Sequence, residues 1–550
     1  MNETPAPPSP RVDALSRLLI IALALASLFL AGFWMTKISR VDPWYRNTDM
    51  NMQNLDDALS INSDVPPRLI DQPGLPLTCL LAIDYRIRHY LGLLPVWNVK
   101  KFGDSKDPLR EIPVLIRIGR VHSRVLVVLF ILSAAWLTYS VSRAIEPACL
   151  TVILLSGSSG LLFHGLLTRP ELLCVGFGNV LALLFTDRAL TARSWFGHHI
   201  WLFFAGTFVG LSALEKLPGV CFLPLCYGWC WMAALTPSLA TRPGRTRPPY
   251  WSGLLPAAGG GAVLFLLLLL SHYHDALGPV VISRLRLASF LVAVLPLLML
   301  WPKRNRGGLF LLDRGRELAL LAGGALFALP LSYLGLRAVL SAPTASDYLA
   351  RTLHLLIDPA PLIRIVAANP NVGQVFAQFI RETPFLFIFV PVVTVGTCCV
   401  WPIPQRLKAF MILLLAGALS MTLMLSKRHF SAQYSVFPQV PFLLVLSVGL
   451  FALGSWWSRQ CQVRYRPWAM PAIIVVAFAF ALTVYPRVYH KYTNYQSDST
   501  LPVSDLTLTF IFDHDTHTQA YLQAMKDHYG TRDQFAETLK YFLADPANRY

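Results

Sequence analysis

Apolar runs of about 20 residues, long enough to cross a bilayer as helices, recur along almost the whole of this chain. No other feature limits the fold as much. Inside hydrocarbon no water remains to satisfy a backbone N–H or C=O, so a spanning segment must be a helix or part of a closed barrel. Unbroken runs of this length fit helices. Scanned on that basis, the chain shows about 13 candidate spans, beginning near Leu18, Val125, Ala148, Glu171, Ile200, Leu217, Gly253, Leu285, Glu317, Pro384, Phe410, Ala432 and Met470. The fold class that follows is an all-α polytopic membrane protein. Composition agrees: of 550 residues 55% are hydrophobic and only 14% charged, leaner in charge than a soluble protein of this size. The first run follows Arg11 and Arg17 and lacks the small-x-small ending of a cleaved signal peptide. It reads as a retained span with the N-terminus in the cytoplasm.

The positions of the basic residues test that map. The formal net charge is 47 − 30 = +17, which in a soluble protein would raise the question of nucleic acid. Here Lys and Arg gather in alternate short connections, as the positive-inside rule requires of cytoplasmic loops. Arg143 lies in the first, Arg188 and Arg193 in the next, then Arg242, Arg245 and Arg247. Lys303, Arg304, Arg306, Arg314 and Arg316 follow, then Arg406 with Lys408, and Arg459 with Arg464 and Arg466. Topology accounts for the charge, and no nucleic-acid partner is expected; the lipid bilayer is the expected environment. Three long segments fall on the opposite side: 41–112, 341–383 and 487–550. The organisation expected is a membrane domain over 1–486 and an extracytoplasmic C-terminal region over 487–550, with helix-like stretches at Thr518–His528 and Arg532–Phe542. Within the first segment, Leu75–Leu94 is apolar but broken by Asp84, Arg86, Arg88 and His89, a pattern that suits an interfacial helix better than a span. The nine cysteines lie mostly in apolar stretches and read as small hydrophobes, not as metal ligands.

Cations on the outside, against the topological bias, carry more information than those within. One cluster is Thr168-Arg169-Pro170-Glu171, between the third and fourth spans; another is Glu215-Lys216-Leu217-Pro218-Gly219, between the fifth and sixth. The last is Ser426-Lys427-Arg428-His429, followed by Gln433 and Tyr434. The plain reading is snorkelling at the interface with local ion pairs such as Arg169 with Glu171. The functional reading is a cationic pocket for a phosphate or pyrophosphate. The first outer segment supplies acids: Asp49 just beyond the first span, then Asp56, Asp57 and Asp71. A carboxylate held at the membrane surface can act as general base toward a hydroxyl, although loop carboxylates are more often merely solvated.

In order, spacing and sidedness these motifs resemble the membrane glycosyltransferases with the C-type fold, of glycosyltransferase family 39. The branch is that of the protein O-mannosyltransferases and the aminoarabinose transferase of lipid A. The resemblance runs over nearly the whole chain. Asp49 matches the acidic residue that the family carries soon after the first span. Asp71-Gln72-Pro73-Gly74 is similar to its acidic-basic-Pro-Pro stretch, and Glu171 to the second acid opening the fourth span. Leu214-Glu215-Lys216-Leu217-Pro218-Gly219 resembles its leucine-threonine-lysine-glycine turn. Arg428-His429 through Tyr434 and Pro438 resembles its arginine-tyrosine and proline signature. Departures are Met50, where a second acid often follows the first, Gln72 in place of a basic residue, and Glu215 beside the lysine.

The resemblance implies inverting transfer of a sugar from a polyprenyl-phosphate donor, on the extracytoplasmic side of what reads as a bacterial inner membrane. Asp49 would take the proton of the acceptor hydroxyl. Lys216 and Arg428, with Arg169 and His429, would hold the donor phosphate, and Asp71, Gln72, Glu171 and Tyr434 would contact sugar or acceptor. No metal and no cofactor is expected, and the acceptor is open among glycolipid, protein and polysaccharide. The prenyl tail would lie in a groove between spans. A transporter or lipid flippase is the alternative, with a non-catalytic scaffold as a third. Transporters place their sites near the bilayer midplane in broken helices, whereas the charges here gather at one face.

Overall fold

In the computed structural model the described residues are 10–65, 74–235, 306–357, 384–400, 403–425, 434–460, 465–493, 508–513 and 517–548, with isolated positions between 259 and 287. Among them the chain is helical throughout and contains no strand. The helices that cover the first half are α1 (Pro10–Ser39), α2 (Thr48–Asn62), α3 (Leu75–Tyr90), α4 (Val99–Gly103), α5 (Pro108–Ser142), α6 (Ile145–Ser156), α7 (Ser159–His164), α8 (Pro170–Val175), α9 (Ala182–Thr191), α10 (Trp195–Glu215) and α11 (Phe222–Leu235). A π-helical turn, Gly176–Leu181, joins α8 to α9. The second half adds α12 (Arg306–Arg337), α13 (Ala342–Ile357), α14 (Pro384–Val395), α15 (Gln405–Leu425), α16 (Val436–Gln460), α17 (Ala469–Thr493), α18 (Gln519–Tyr529) and α19 (Arg532–Ala544).

Eight helical stretches among the described residues are long and apolar enough to span a membrane: α1, α5, α8 through α9, α10, α12, α15, α16 and α17. The fold is therefore the all-α polytopic class that the apolar runs imply. The expected runs at Ala148 and Pro384 are shorter apolar helices, with apolar stretches at Ile145–Ser156 and Phe389–Cys399. That at Leu217 is a 3-10 turn, Leu217–Cys221, followed by the 14 residues of α11. The runs beginning at Gly253 and Leu285 lie outside the described residues except for a few isolated positions.

Close helix contact is built from small residues. The broadest interface pairs α10 with α12, where a Cβ on Gly206 or Gly210 would run into the backbone of Leu321 or Ala325, and one on Gly324 into that of Phe203. In lipid, where apolar burial no longer drives helices together, such backbone approach is what holds them. At the end of the bundle that the charge stripe leads one to expect on the cytoplasmic side, two of the topology markers, Arg406 and Arg314, also pair. Arg406 and Ser140 both bond Asp187, whose side chain is fully buried, and Arg314 pairs with Glu317.

The opposite end carries a second layer with its own apolar core. Leu55, Leu59, Leu81, Phe102, Tyr348, Tyr521 and Phe535 belong to it, so α2, α3, α4, α13, α18 and α19 share one interior. The C-terminal helices start where their caps dictate. Thr518 caps α18, and Thr531 with Gln534 forms a reciprocal capping box on α19.

Asp56 and Asp57, acids of the first outer segment, are expected to be solvated as loop carboxylates usually are; instead they lie on the buried helix α2. From Asn51 to Asn62 every residue of α2 is buried, although Asn51, Gln53, Asn54, Asp56, Asp57, Ser60 and Asn62 are polar. Burial of polar groups is tolerable when partners replace water, and most partners are main-chain groups of neighbouring elements. The Asn62 amide donates to the carbonyls of Ala82 and Trp97, each at 2.9 Å.

Among the described acids of this helix, Asp57 is the one whose burial is least compensated. One of its carboxylate oxygens has no hydrogen-bond partner, and burial, followed by the neighbouring Asp56, raises its pKa well above the usual carboxylate value. A raised folded-state pKa means that the native protein binds the proton more tightly than the unfolded chain. Stability from this group is then greatest below the unfolded pKa of about 3.9 and falls as pH rises through the folded value. Asp57→Asn removes that titration. The variant's thermal midpoint, relative to the parent, is expected to rise progressively from pH 5 to pH 8 in scanning fluorimetry of the nanodisc-embedded protein. A difference that stays flat or shrinks with pH contradicts this account.

Candidate active site

The site lies where the bundle meets the second layer. Arg169 precedes a proline, which keeps it extended, and it stands as the N-cap of α8 with Pro170 at the first helical position. That geometry places Glu171 in the first turn, where the helix dipole favours a carboxylate. Across from it, α10 ends at Glu215, and Lys216 follows in an extended conformation (φ −158°, ψ 138°). The Ser212 hydroxyl donates to the Cys174 carbonyl at 2.6 Å and also lies 3.3 Å from the Cys174 thiol. These bonds tie α8 to the end of α10, and so hold Glu171 and Lys216 face to face.

Lys216 Nζ donates to Glu171 Oε1, and it sits 4.7 Å from the centroid of the Tyr434 ring. Arg169 and His164 also lie within electrostatic reach of Glu171. All five side chains are buried, with Glu171 at 0% exposure and Lys216 at 5%. The second oxygen of Glu171 has no hydrogen-bond partner. Three basic side chains thus surround one carboxylate that keeps an open acceptor position. Glu215, also fully buried, lies within electrostatic reach of Glu171 and Lys216 and ties in α3: its backbone carbonyl accepts from Gly74 N–H at 3.1 Å, and the Leu77 amide faces its side chain. Gly74 holds a left-handed φ of 44°, so the start of α3 is folded back onto the end of α10.

The helix that carries Asp49 is fastened to the same place. Asn54 Nδ2 donates to the Thr168 carbonyl at 2.9 Å, and the Thr168 amide donates to Asn51 Oδ1 at 3.2 Å. Two residues of α2 therefore grip the backbone immediately before Arg169. Asp49 is the second residue of α2; its side chain is outside the described set, as are Asp71, Gln72, Arg428 and His429 entirely. Among the expected site residues that are described, Lys216, Glu171, Arg169 and Tyr434 come together.

Two contributors, His164 and Asn54, were not singled out from sequence, and neither was the nearby Gln439. His164 closes α7, five residues before Arg169. Asn54 was hidden in a segment read as loop. Gln439, on α16 beyond Tyr434, accepts through Oε1 from Ser158 Oγ at 2.9 Å and from the Gly160 amide at 3.2 Å. The two donors fix its orientation, and its buried NH₂ has no partner.

A cleft of about 160 Å³ lies between helices of the bundle. Its lining includes Asn179, Phe222, Leu413, Met421 and Phe437. Phe222 follows the Lys216 turn and Phe437 follows Tyr434. The π-helical turn brings Asn179 to this wall, with Gly178 packed against Phe222; π-bulges of this kind are frequent at functional sites.

No protein-family model matches the sequence, and no curated protein matches it. Among solved structures, the chain is similar to the oligosaccharyltransferase AglB of Archaeoglobus fulgidus in complex with an inhibitory peptide and a dolichol-phosphate. Identity is 15% and the TM-score 0.48, over 86% of this chain and 56% of that one. It is also similar to ArnT of Cupriavidus metallidurans in the apo state, at 13% identity and a TM-score of 0.31, over 95% of this chain and 88% of that one. The chain thus spans little more than half the length of the oligosaccharyltransferase. At these scores the likeness defines neither a family nor an activity.

Proposed function

We propose that the chain is a glycosyltransferase that moves a sugar from a polyprenyl-phosphate donor to an acceptor hydroxyl, at the end of the bundle that carries α2, α3 and the C-terminal helices. On this reading that end is extracytoplasmic and the membrane a bacterial inner membrane. The observation that carries the proposal is the buried group of Lys216, Arg169 and His164 around Glu171, with an apolar cleft lined by Phe222 and Phe437, which follow Lys216 and Tyr434 in the chain. Cations with an apolar channel beside them suit a ligand with an anionic head and a long hydrocarbon tail.

The acceptor oxygen attacks the anomeric carbon from the face opposite the phosphate, which inverts that centre. The bond from the anomeric carbon to the phosphate oxygen breaks, and the lipid phosphate leaves with the electron pair as an anion. It needs no proton, only cations aimed at its oxygens; Lys216 and Arg428 take that role, with Arg169 and His429 beside them. Asp49 accepts the acceptor's proton as general base. The open oxygen of Glu171 receives a sugar hydroxyl, Tyr434 flanks the head group, and Asp71 and Gln72 contact sugar or acceptor.

Mass spectrometry of envelope glycans, glycolipids and polyprenyl-phosphate sugars, with and without the gene, tests this directly. Loss of one sugar from one class of conjugate, together with accumulation of its polyprenyl-phosphate donor, is the expected result. Unchanged conjugates and an unchanged donor pool would count against it.

A further inference from the structure

Asp56 does nothing in the chemistry above, yet both of its carboxylate oxygens are engaged. It is 1% exposed and accepts from the Thr518 amide at 2.8 Å and the Thr518 hydroxyl at 3.1 Å. Thr518 is the N-cap of α18, so Asp56 satisfies a main-chain donor at the start of a helix more than four hundred residues away in sequence. His517, fully buried, lies 3.8 Å from the same carboxylate. Its ring stacks on Tyr521 at 4.6 Å, and Tyr521 stacks on Phe102 of α4 at 5.1 Å. On the other side of Asp49, Trp44 Nε1 donates to the carbonyl of Asn548 at 2.9 Å.

The C-terminal segment therefore grips the chain on both sides of the first turn of α2. Between those grips, Asn51 and Asn54 fasten the helix to Thr168, the residue before Arg169. We infer that Asp56 is a positioning residue: through Thr518 it makes the C-terminal helices a clamp that sets α2, and with it Asp49, against the Arg169–Glu171 turn. The inference rests on the transferase reading for the role of Asp49. A helix held at three points resists the small displacements to which proton transfer is most sensitive, since a shift of about 1 Å can cost about 10²-fold in rate.

The test uses the full chain in nanodiscs, as Asp56→Ala and Asp56→Asn. Hydrogen exchange of peptides covering 44–54 reads the clamp without any substrate, and turnover of synthetic undecaprenyl-phosphoryl hexose and pentose reads the chemistry. In Asp56→Ala, exchange over 44–54 is expected to rise while α5 and α10 stay protected. Its kcat falls by about 10²-fold, with KM for the donor within about twofold. Asp56→Asn, which still accepts from Thr518, recovers most of the rate. Unchanged exchange in Asp56→Ala overturns the clamp, and raised exchange with unchanged kcat overturns the positioning role. If the parent protein turns over neither donor, the transferase reading and the positioning role fail together, while raised exchange would still show that the tail holds α2.

Discussion

Exchange of Lys216 for glutamine is expected to lower the rate of sugar transfer by about 10²-fold, the usual loss when a donor aimed at developing negative charge is removed. The same change strips Glu171 of the partner bound to its Oε1. Breaking a buried ion pair by removing one member costs about 3–5 kcal/mol, so Lys216→Gln should also unfold more easily. The two effects separate in the double variant Lys216→Gln/Glu171→Gln. With no uncompensated carboxylate left, it should regain much of the lost stability and none of the lost activity. Recovery of activity along with stability would make the lysine structural, and would remove it from the donor site.

The second large effect is expected at Asp49. Asp49→Asn keeps the size of the side chain and removes its basicity, so transfer should fall by about 10²–10⁴-fold, the range of general base catalysis. Donor KM should change little, because the proton is taken only as the acceptor attacks. Stability should change little as well. A variant with parental turnover would end the assignment of Asp49 as base.

The membrane architecture was legible from residues because hydrocarbon imposes one local rule on every span: enough consecutive apolar side chains to cross. Spans such as Trp195–Glu215 and Val436–Gln460 obey that rule within a single window of sequence. The helices of the C-terminal segment were legible for a similar reason, since Thr518 and Thr531 mark their starts. The α2 helix was not. A run of Asn, Asp, Gln and Ser after a span reads as solvated loop, and its burial depends on distant partners such as the Thr168 backbone, Thr518 and the carbonyls of Ala82 and Trp97. All of these lie outside the local window.

The site divides the same way. Lys216 and Arg169 were conspicuous as cations on the outer face, and Glu171 as an acid beside them. That Glu171 pairs with Lys216, 45 residues on, depends on the crossing of α8 and α10, which no local pattern encodes. Gln439 carries no charge and sits within an apolar helix, so its pinned amide becomes visible only against Ser158 and Gly160.

The central claim is that the cations around Glu171 hold a polyprenyl phosphate while its sugar departs. Release of undecaprenyl phosphate from undecaprenyl-phosphoryl sugars, followed with the purified protein in nanodiscs and a mixture of envelope glycolipid acceptors, measures this step itself. The account predicts release by the parent protein and near-background release by the stable Lys216→Gln/Glu171→Gln variant. Equal release by the two, or none above empty nanodiscs from hexose and pentose donors alike, would contradict it.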